Sequence, residues 1–283
     1  MGSNPQTEAG FYSTASATSD LSRHSDVVEG FGSSAVDAAR TACNVVIHVA
    51  AVERMRLKLP QQRWEGLDVR SAARIVDHVR ALKDTRLVAK REPADRMIGN
   101  CHHITLLTCA LLRHIGIPAR ARVGFASYLE EGKYVDHWVC ETLDRDGWHR
   151  FDPDGLIDLV ASSARRFLTG GEAWLACRAG DADPEIFGID DAGGWWFIRN
   201  NVVRDFAALC KVELLPWDWW GLMVGQESDR PDDLIDDLST MCADDSCWME
   251  RNERFGVDSL LNPNGRVFVF RGGANEVDLP EMW

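Results

Sequence analysis

The chain has 283 residues, of which 45% are apolar and 27% charged, and carries a formal net charge of −13. Such a composition can bury a core and is not that of a disordered polymer. The acidic excess excludes general nucleic-acid binding, which needs a basic surface that displaces counterions.

The first residues lack a charged start followed by an apolar core, so no secretory leader is expected. No run approaches the roughly 20 apolar residues of a membrane span. A bacterial, cytoplasmic protein is therefore expected, its eight cysteines mostly reduced. Cys43, Cys109, Cys177 and Cys210 sit in apolar or helical contexts and read as small core residues. Cys242 and Cys247 have no partnering pair, so no zinc site is expected there.

Residues 1–25 are rich in Ser, Thr, Gly and Ala and predict a flexible arm. Ser33 and Ser34 are candidate caps for a helix over 35–57, on the spacing of Val36, Ala39, Cys43, Val46 and Ala50. Ala72, Ile75, Val76, Val79 and Leu82 predict a second helix over 69–87, and a basic connector with Lys83, Arg86, Lys90, Arg91 and Arg96 follows. The clearest helix covers 101–118, with Ile104, Leu107, Leu111 and Ile115 on one face, Gly116 as the stop and Pro118 beyond it. Period-two patterns then predict strands over 119–125, 136–143 and 148–152, the last two joined by the turn sequence Asp144-Arg145-Asp146-Gly147.

Beyond Pro153 the pattern returns to helices, at about 161–177, 199–211 and 231–242, with Trp195, Trp196, Trp217, Trp219 and Trp220 grouped among them. These tryptophans read as core or lid packing, or as a substrate wall. A short strand is expected over 266–270. The fold class predicted is α+β, with residues 26–160 as a catalytic core and 161–283 as a Trp-rich, mainly helical extension.

The chemistry concentrates in the middle. Gly99-Asn100-Cys101 sets a thiol in the first turn of the strongest helix, where unsatisfied N–H groups and the positive end of the helix dipole favour a thiolate. The same amides can hold an oxyanion once sulfur attacks a carbonyl. A thiol nucleophile needs an imidazole, and the imidazole needs an orienting carboxylate. His137 lies on one predicted strand and Asp152 ends the next. If Leu143 faces Trp148 across the turn, Val139 faces Asp152, and His137 shares a face with Asp152 one diagonal away. A slip of one residue would part them.

Asn100-Cys101, Thr105-Leu106-Leu107, Ala110 to Arg113 and Gly116 to Arg120 resemble the nucleophile helix of the transglutaminase-like superfamily. Asp136-His137-Trp138 resembles its histidine strand and Phe151-Asp152-Pro153 its aspartate strand. The resemblance covers about residues 99–155 and implies a papain-like core with Cys101 as nucleophile, His137 as base and acid, and Asp152 as orienter. Animal transglutaminases have Gln and Trp where this chain has Asn100 and His102, and their calcium sites and β domains have no counterpart here, so the resemblance does not imply protein cross-linking. Trp195 to Arg199 and Leu215-Pro216-Trp217-Asp218 also resemble bacterial chains with this domain, and the resemblance assigns them no task.

Other residues bear on the same site. His102 and His103 invite a zinc reading with His137, but adjacent helical residues point about 100° apart and cannot share one ion; no cofactor or metal is expected. Asp154 and Asp158 are alternative orienters. Asn100, His102 and Trp138 are candidate substrate contacts, and Lys90 and Arg91 are candidates for receiving an anionic or phosphate-bearing acyl donor. The acids from Asp229 to Asp237 read as a helix start rather than a calcium loop. The expectation is cysteine-dependent acyl transfer from an amide or thioester of a small molecule or peptide, with an amine acceptor favoured. Hydrolysis of the same bond and a non-catalytic binding module are the alternatives, and oligomeric state is left open.

Overall fold

The computed structural model describes residues 7–155, 157–158, 166–269 and 275–279. The chain divides into two units, residues 1–121 with 139–158, and residues 122–138 with 159–283. This division interleaves two segments of sequence, whereas the expectation was a single cut near residue 160.

The first unit holds α1 (Glu8–Tyr12), α2 (Ser25–Val28), α3 (Ala35–Val45), β1 (Val46–His48), α4 (Val49–Arg54), α5 (Ala72–Leu82), β2 (Met97–Gly99) and α6 (Cys101–His114). Of the next strands, β5 (Trp148–Asp152) and β6 (Ile157–Asp158) lie in this unit, while β3 (Ala119–Ala126) and β4 (Tyr134–Leu143) have residues in both units. The expected flexible arm is instead packed from residue 7 onward. Thr7 caps α1, Tyr12 is fully buried, and Glu8 accepts the Trp148 indole N–H at 3.1 Å. These anchors, with Leu21 also buried, offset the polar composition of the rest.

The helix expected over 35–57 is also broken. Ser34 caps α3 as predicted, but Val46, Ile47 and His48 leave the helix and pair in parallel with Met97, Ile98 and Gly99. The run Val45-Val46-Ile47 is β-branched throughout, and such residues pack better on a strand than in a helix. The second helix is shorter than its pattern, running from the Ser71 cap to Leu82. Helix α6 packs against α3 and α5 and is buried from Cys101 to Arg113. Gly116, at φ +78°, ends its last turn in the left-handed conformation glycine adopts readily.

The second unit holds β7 (Phe167–Thr169), α7 (Gly170–Ala179), β8 (Phe187–Ile189), β9 (Ala192–Gly193), α8 (Trp195–Leu209), β10 (Asp218–Trp219), α9 (Asp233–Ala243), α10 (Trp248–Val257), β11 (Arg266–Val269) and β12 (Asn275–Asp278). The helix expected from 161 begins only at Gly170, after a strand, and its first residues lie outside the described ones. Its core gathers Phe125, Trp174, Phe187, Val202, Phe206, Leu238 and Trp220. Trp174 and Trp220 therefore belong to core packing, while Trp195 stacks edge-on with Trp174 at 5.0 Å between ring centroids. Five of the strands follow one another in the order β6-β5-β4-β3-β7, with β8 beside β4 and β9 beside β8. Helices together with a sheet whose described pairings are antiparallel, save β8 on β4, which is parallel, make the fold class α+β. Among the described residues, no helix is long and apolar enough to cross a membrane.

Candidate active site

Cys101 is the first residue of α6, and the backbone that delivers it is fixed on both sides. Strand β2 runs into the helix through Asn100, locked to β1 by the pair His48–Gly99. A side chain at residue 99 has no room, since a Cβ there would lie 2.7 Å from Val46 Cγ1 and 3.0 Å from His103 Cβ. Glycine is what lets the strand approach the first turn so closely. Asn100 caps the helix, its Oδ1 accepting the His103 backbone N–H, and the His103 ring closes a reciprocal capping box. Cys101 itself is 8% exposed.

Asp152 ends β5 and is 2% exposed, and its Oδ1 accepts the Asp154 N–H at 2.9 Å, which holds the carboxylate in a tight turn. Beneath that turn the Cys43 thiol donates to the Pro153 carbonyl at 3.2 Å. Burial, with Asp154 and Asp152 adding to it, pushes the Cys43 thiol up to about 12. Strands β4 and β5 pair with Leu143 opposite Trp148, Thr142 opposite His149, Glu141 opposite Arg150 and Cys140 opposite Phe151.

In the second unit His137 lies on β4 and is 4% exposed. Tyr128 meets its ring edge to face, 6.1 Å between centroids, and the Arg166 guanidinium sits 5.0 Å over the Tyr128 ring. The strand just before His137 is paired by Tyr134 and Val135 with β8. The neighbouring Asp136 accepts a hydrogen bond from Asn201 Nδ2 at 2.7 Å. Burial raises the Asp136 carboxyl above its ordinary range, while Arg204, the Asn201 hydrogen bond and His137 pull it back. None of Tyr128, Arg166, Asn201 or Arg204 was found by sequence reasoning; each depends on pairing between elements distant along the chain.

Of the substrate contacts expected from the sequence, His102 and Trp138 are buried, at 0% and 1% exposure. Asn100 spends its side chain on the cap. Arg91 is fully buried and donates to the Thr85 carbonyl at 3.2 Å, and burial lowers its basicity. Lys90 stands on the surface, its side chain 88% exposed and 4.0 Å from Glu92. The connector is thus partly a packed strap, and Arg96 is part of it, donating to the Arg91 and Cys43 carbonyls. Of the alternative orienters, Asp154 is exposed, and the Asp158 side chain lies outside the described ones. No group of three or more metal-ligating side chains is found among the described residues.

Residues 61–153 match the model of the transglutaminase-like superfamily. A solved structure of a proposed cysteine protease from Cytophaga hutchinsonii is similar at 17% identity, over 56% of this chain and 44% of that one, with a TM-score of 0.35. The chain therefore spans less than half of that protein's length. No curated protein matches the sequence.

Proposed function

We propose, for a chain that carries a transglutaminase-like domain and so is of the cysteine-enzyme kind, that Cys101, His137 and Asp152 form a catalytic triad for acyl transfer. Cys101 attacks the carbonyl of an amide or thioester, the leaving group departs with a proton from His137, and a thioester acyl-enzyme remains. An amine, or water in the hydrolytic variant, then takes the acyl group while His137 removes its proton. Asp152 orients the imidazole. The donor is a small molecule or peptide, and the setting is cytoplasmic, where Cys101 stays reduced.

The observation that carries this reading is the β4–β5 register. Continued by one pair beyond Cys140–Phe151, it sets Val139 opposite Asp152. Side chains on a strand alternate, so His137 shares the face of Val139 and Asp152. The position of Cys101 at the first residue of α6 supplies the rest, because helix N-terminal amides stabilise both a thiolate and an oxyanion.

p-Nitrophenyl acetate tests the reading. Wild-type protein is expected to release a stoichiometric burst of p-nitrophenol and to carry acetate on the Cys101 peptide. Cys101→Ala should lower the burst rate by roughly 10³-fold or more. Acetylation at another residue, or an undiminished burst in Cys101→Ala, overturns the assignment. Adding an amine that speeds turnover in proportion to its concentration favours transfer over hydrolysis.

A further inference from the structure

Helix α8 carries four buried polar residues around its middle, Asn200, Asn201, Arg204 and Asp205, at 1%, 0%, 5% and 0% exposure. Polar groups are costly to bury without partners, so each must answer to something. Asp205 accepts Arg122 and the Val123 N–H, which ties α8 to β3. Asn200 clamps a loop, donating to the Val224 carbonyl at 2.9 Å and accepting the Val224 N–H at 3.0 Å. Asn201 answers to a different partner. Its Nδ2 donates to Asp136, the residue before His137, and its Oδ1 accepts Arg204 Nη1 at 3.0 Å.

We propose that Asn201, backed by Arg204, is a positioning residue for His137, acting through Asp136. The inference rests on the reading of His137 as the base. A carboxamide between a guanidinium and a carboxylate can sit only one way round, oxygen toward the cation and N–H₂ toward the anion. Its place on the helix is equally fixed. A Cβ on Gly170, at the start of α7, would lie 2.6 Å from the Asn201 carbonyl carbon and 2.7 Å from its oxygen, so the two helices touch backbone to backbone there. Burial lowers Arg204 to about 10, with the charges of Asp136 and Asp218 acting against it.

The consequence for His137 follows from strand geometry. Asp136 and His137 point to opposite faces of β4, so holding one side chain fixes the direction of the next Cβ. Tyr134, stacked on Phe187 at 4.8 Å, anchors the strand two residues earlier, and Tyr128 meets the imidazole edge-on. Asn201 completes the set on the side away from the imidazole. This gives the first of the two tail motifs a task. The helix that begins at Trp195 supplies the buried support of the base strand.

Iodoacetamide alkylation of Cys101 near neutral pH, followed on its tryptic peptide, tests this with the full chain and no substrate. The rate reports an imidazole placed to activate the thiol. Asn201→Ala is expected to slow alkylation about tenfold, the scale of a displaced catalytic group. Asn200→Ala, which loses two hydrogen bonds on the same helix, should lower the melting temperature comparably and leave the alkylation rate at the wild-type value. Equal rates for Asn201→Ala and wild type, or equal slowing in Asn200→Ala, overturn the proposal. His137→Ala separates the two levels. If it slows alkylation and Asn201→Ala does not, the positioning role alone falls. If it has no effect, the reading of His137 as base falls and takes this inference with it. Should Asn201→Ala fail to fold, Asn201→Ser, whose hydroxyl stops short of Asp136, carries the same comparison.

Discussion

Helices α6 and α8 are both buried on nearly every side, yet they satisfy their polar groups in different ways. On α6 two of the bonds are local, while Arg113 near its end reaches Ser19 Oγ, 94 residues away. Thr108 donates to the Ile104 carbonyl one turn back, and His103 bonds to its own cap, Asn100. On α8 they are distant. Asp205 holds Arg122, 83 residues away, and Asn201 holds Asp136, 65 residues away. A buried helix with local bonds can be read from its own segment, whereas one with distant bonds is a tie between elements, and its polar residues measure what it ties.

The largest expected effect breaks that tie. Asp205 accepts Arg122 Nε at 3.0 Å, Arg122 Nη2 at 2.8 Å and the Val123 N–H at 2.8 Å, and it is fully buried. Removing it in Asp205→Ala strands a buried guanidinium, which costs about 3–5 kcal/mol. Asp205→Asn keeps an acceptor and should lose less. Thr108→Val on α6, nearly isosteric and with a partner that stays bonded in its helix, should lose about 1 kcal/mol or less. Urea unfolding of the three variants measures this. Similar losses in Asp205→Ala and Thr108→Val would erase the distinction between the helices.

The same distinction explains what the sequence allowed one to see. Cys101 and the stop at Gly116 lie within one segment, so spacing alone located them, whereas the cap made by Asn100 was not foreseen. The β4–β5 register was readable because a tight turn fixes it within 18 residues, from Tyr134 to Phe151. Strand β1 was hidden because its partner β2 lies about 50 residues on, and an isolated Val-Ile-His triplet does not declare a strand. Arg120 and Arg122 read as the polar face of β3, yet both are buried. Arg120 meets Glu141 at 2.6 Å and lies 3.8 Å over the Trp148 ring. Period-two alternation tells faces apart but does not tell solvent from a buried carboxylate. Lys90 stands exposed and its neighbour Arg91 is buried, a difference hidden in the sequence because a basic stretch looks alike whether solvated or folded inward.

A smaller effect is expected where the local logic of α6 meets a tertiary constraint. Gly99→Ala must push apart β1 and the first turn of α6, at about 1–3 kcal/mol for an overpacked site. Because the strain falls one residue before the Asn100 cap, it should also slow alkylation of Cys101. Val46→Ala removes the nearer of the clashing groups, Val46 Cγ1. The double variant should therefore recover part of both losses relative to the sum of the single ones. Losses that simply add would show that the close approach of β1 does not set the position of Cys101.

The smallest effect is a slope rather than a step, and it reads the charge at the far end of the α8 tie. Burial raises the Asp136 carboxyl above its ordinary range; Arg204, Asn201 and His137 offset this only in part. The folded state then binds the Asp136 proton more tightly than the unfolded chain does. Between the ordinary carboxylate range and the raised value, the unfolded state holds fewer protons, so this group's contribution to stability is full at acid pH and declines as pH rises. Asp136→Asn carries no titrating proton and still offers an oxygen to Asn201. Its stability relative to wild type should accordingly climb from pH 4 toward neutral, as read from melting temperatures in matched buffers. A difference independent of pH would mean that Arg204 and Asn201 compensate the carboxylate in full, and that the α8 tie to the base strand is electrostatically neutral.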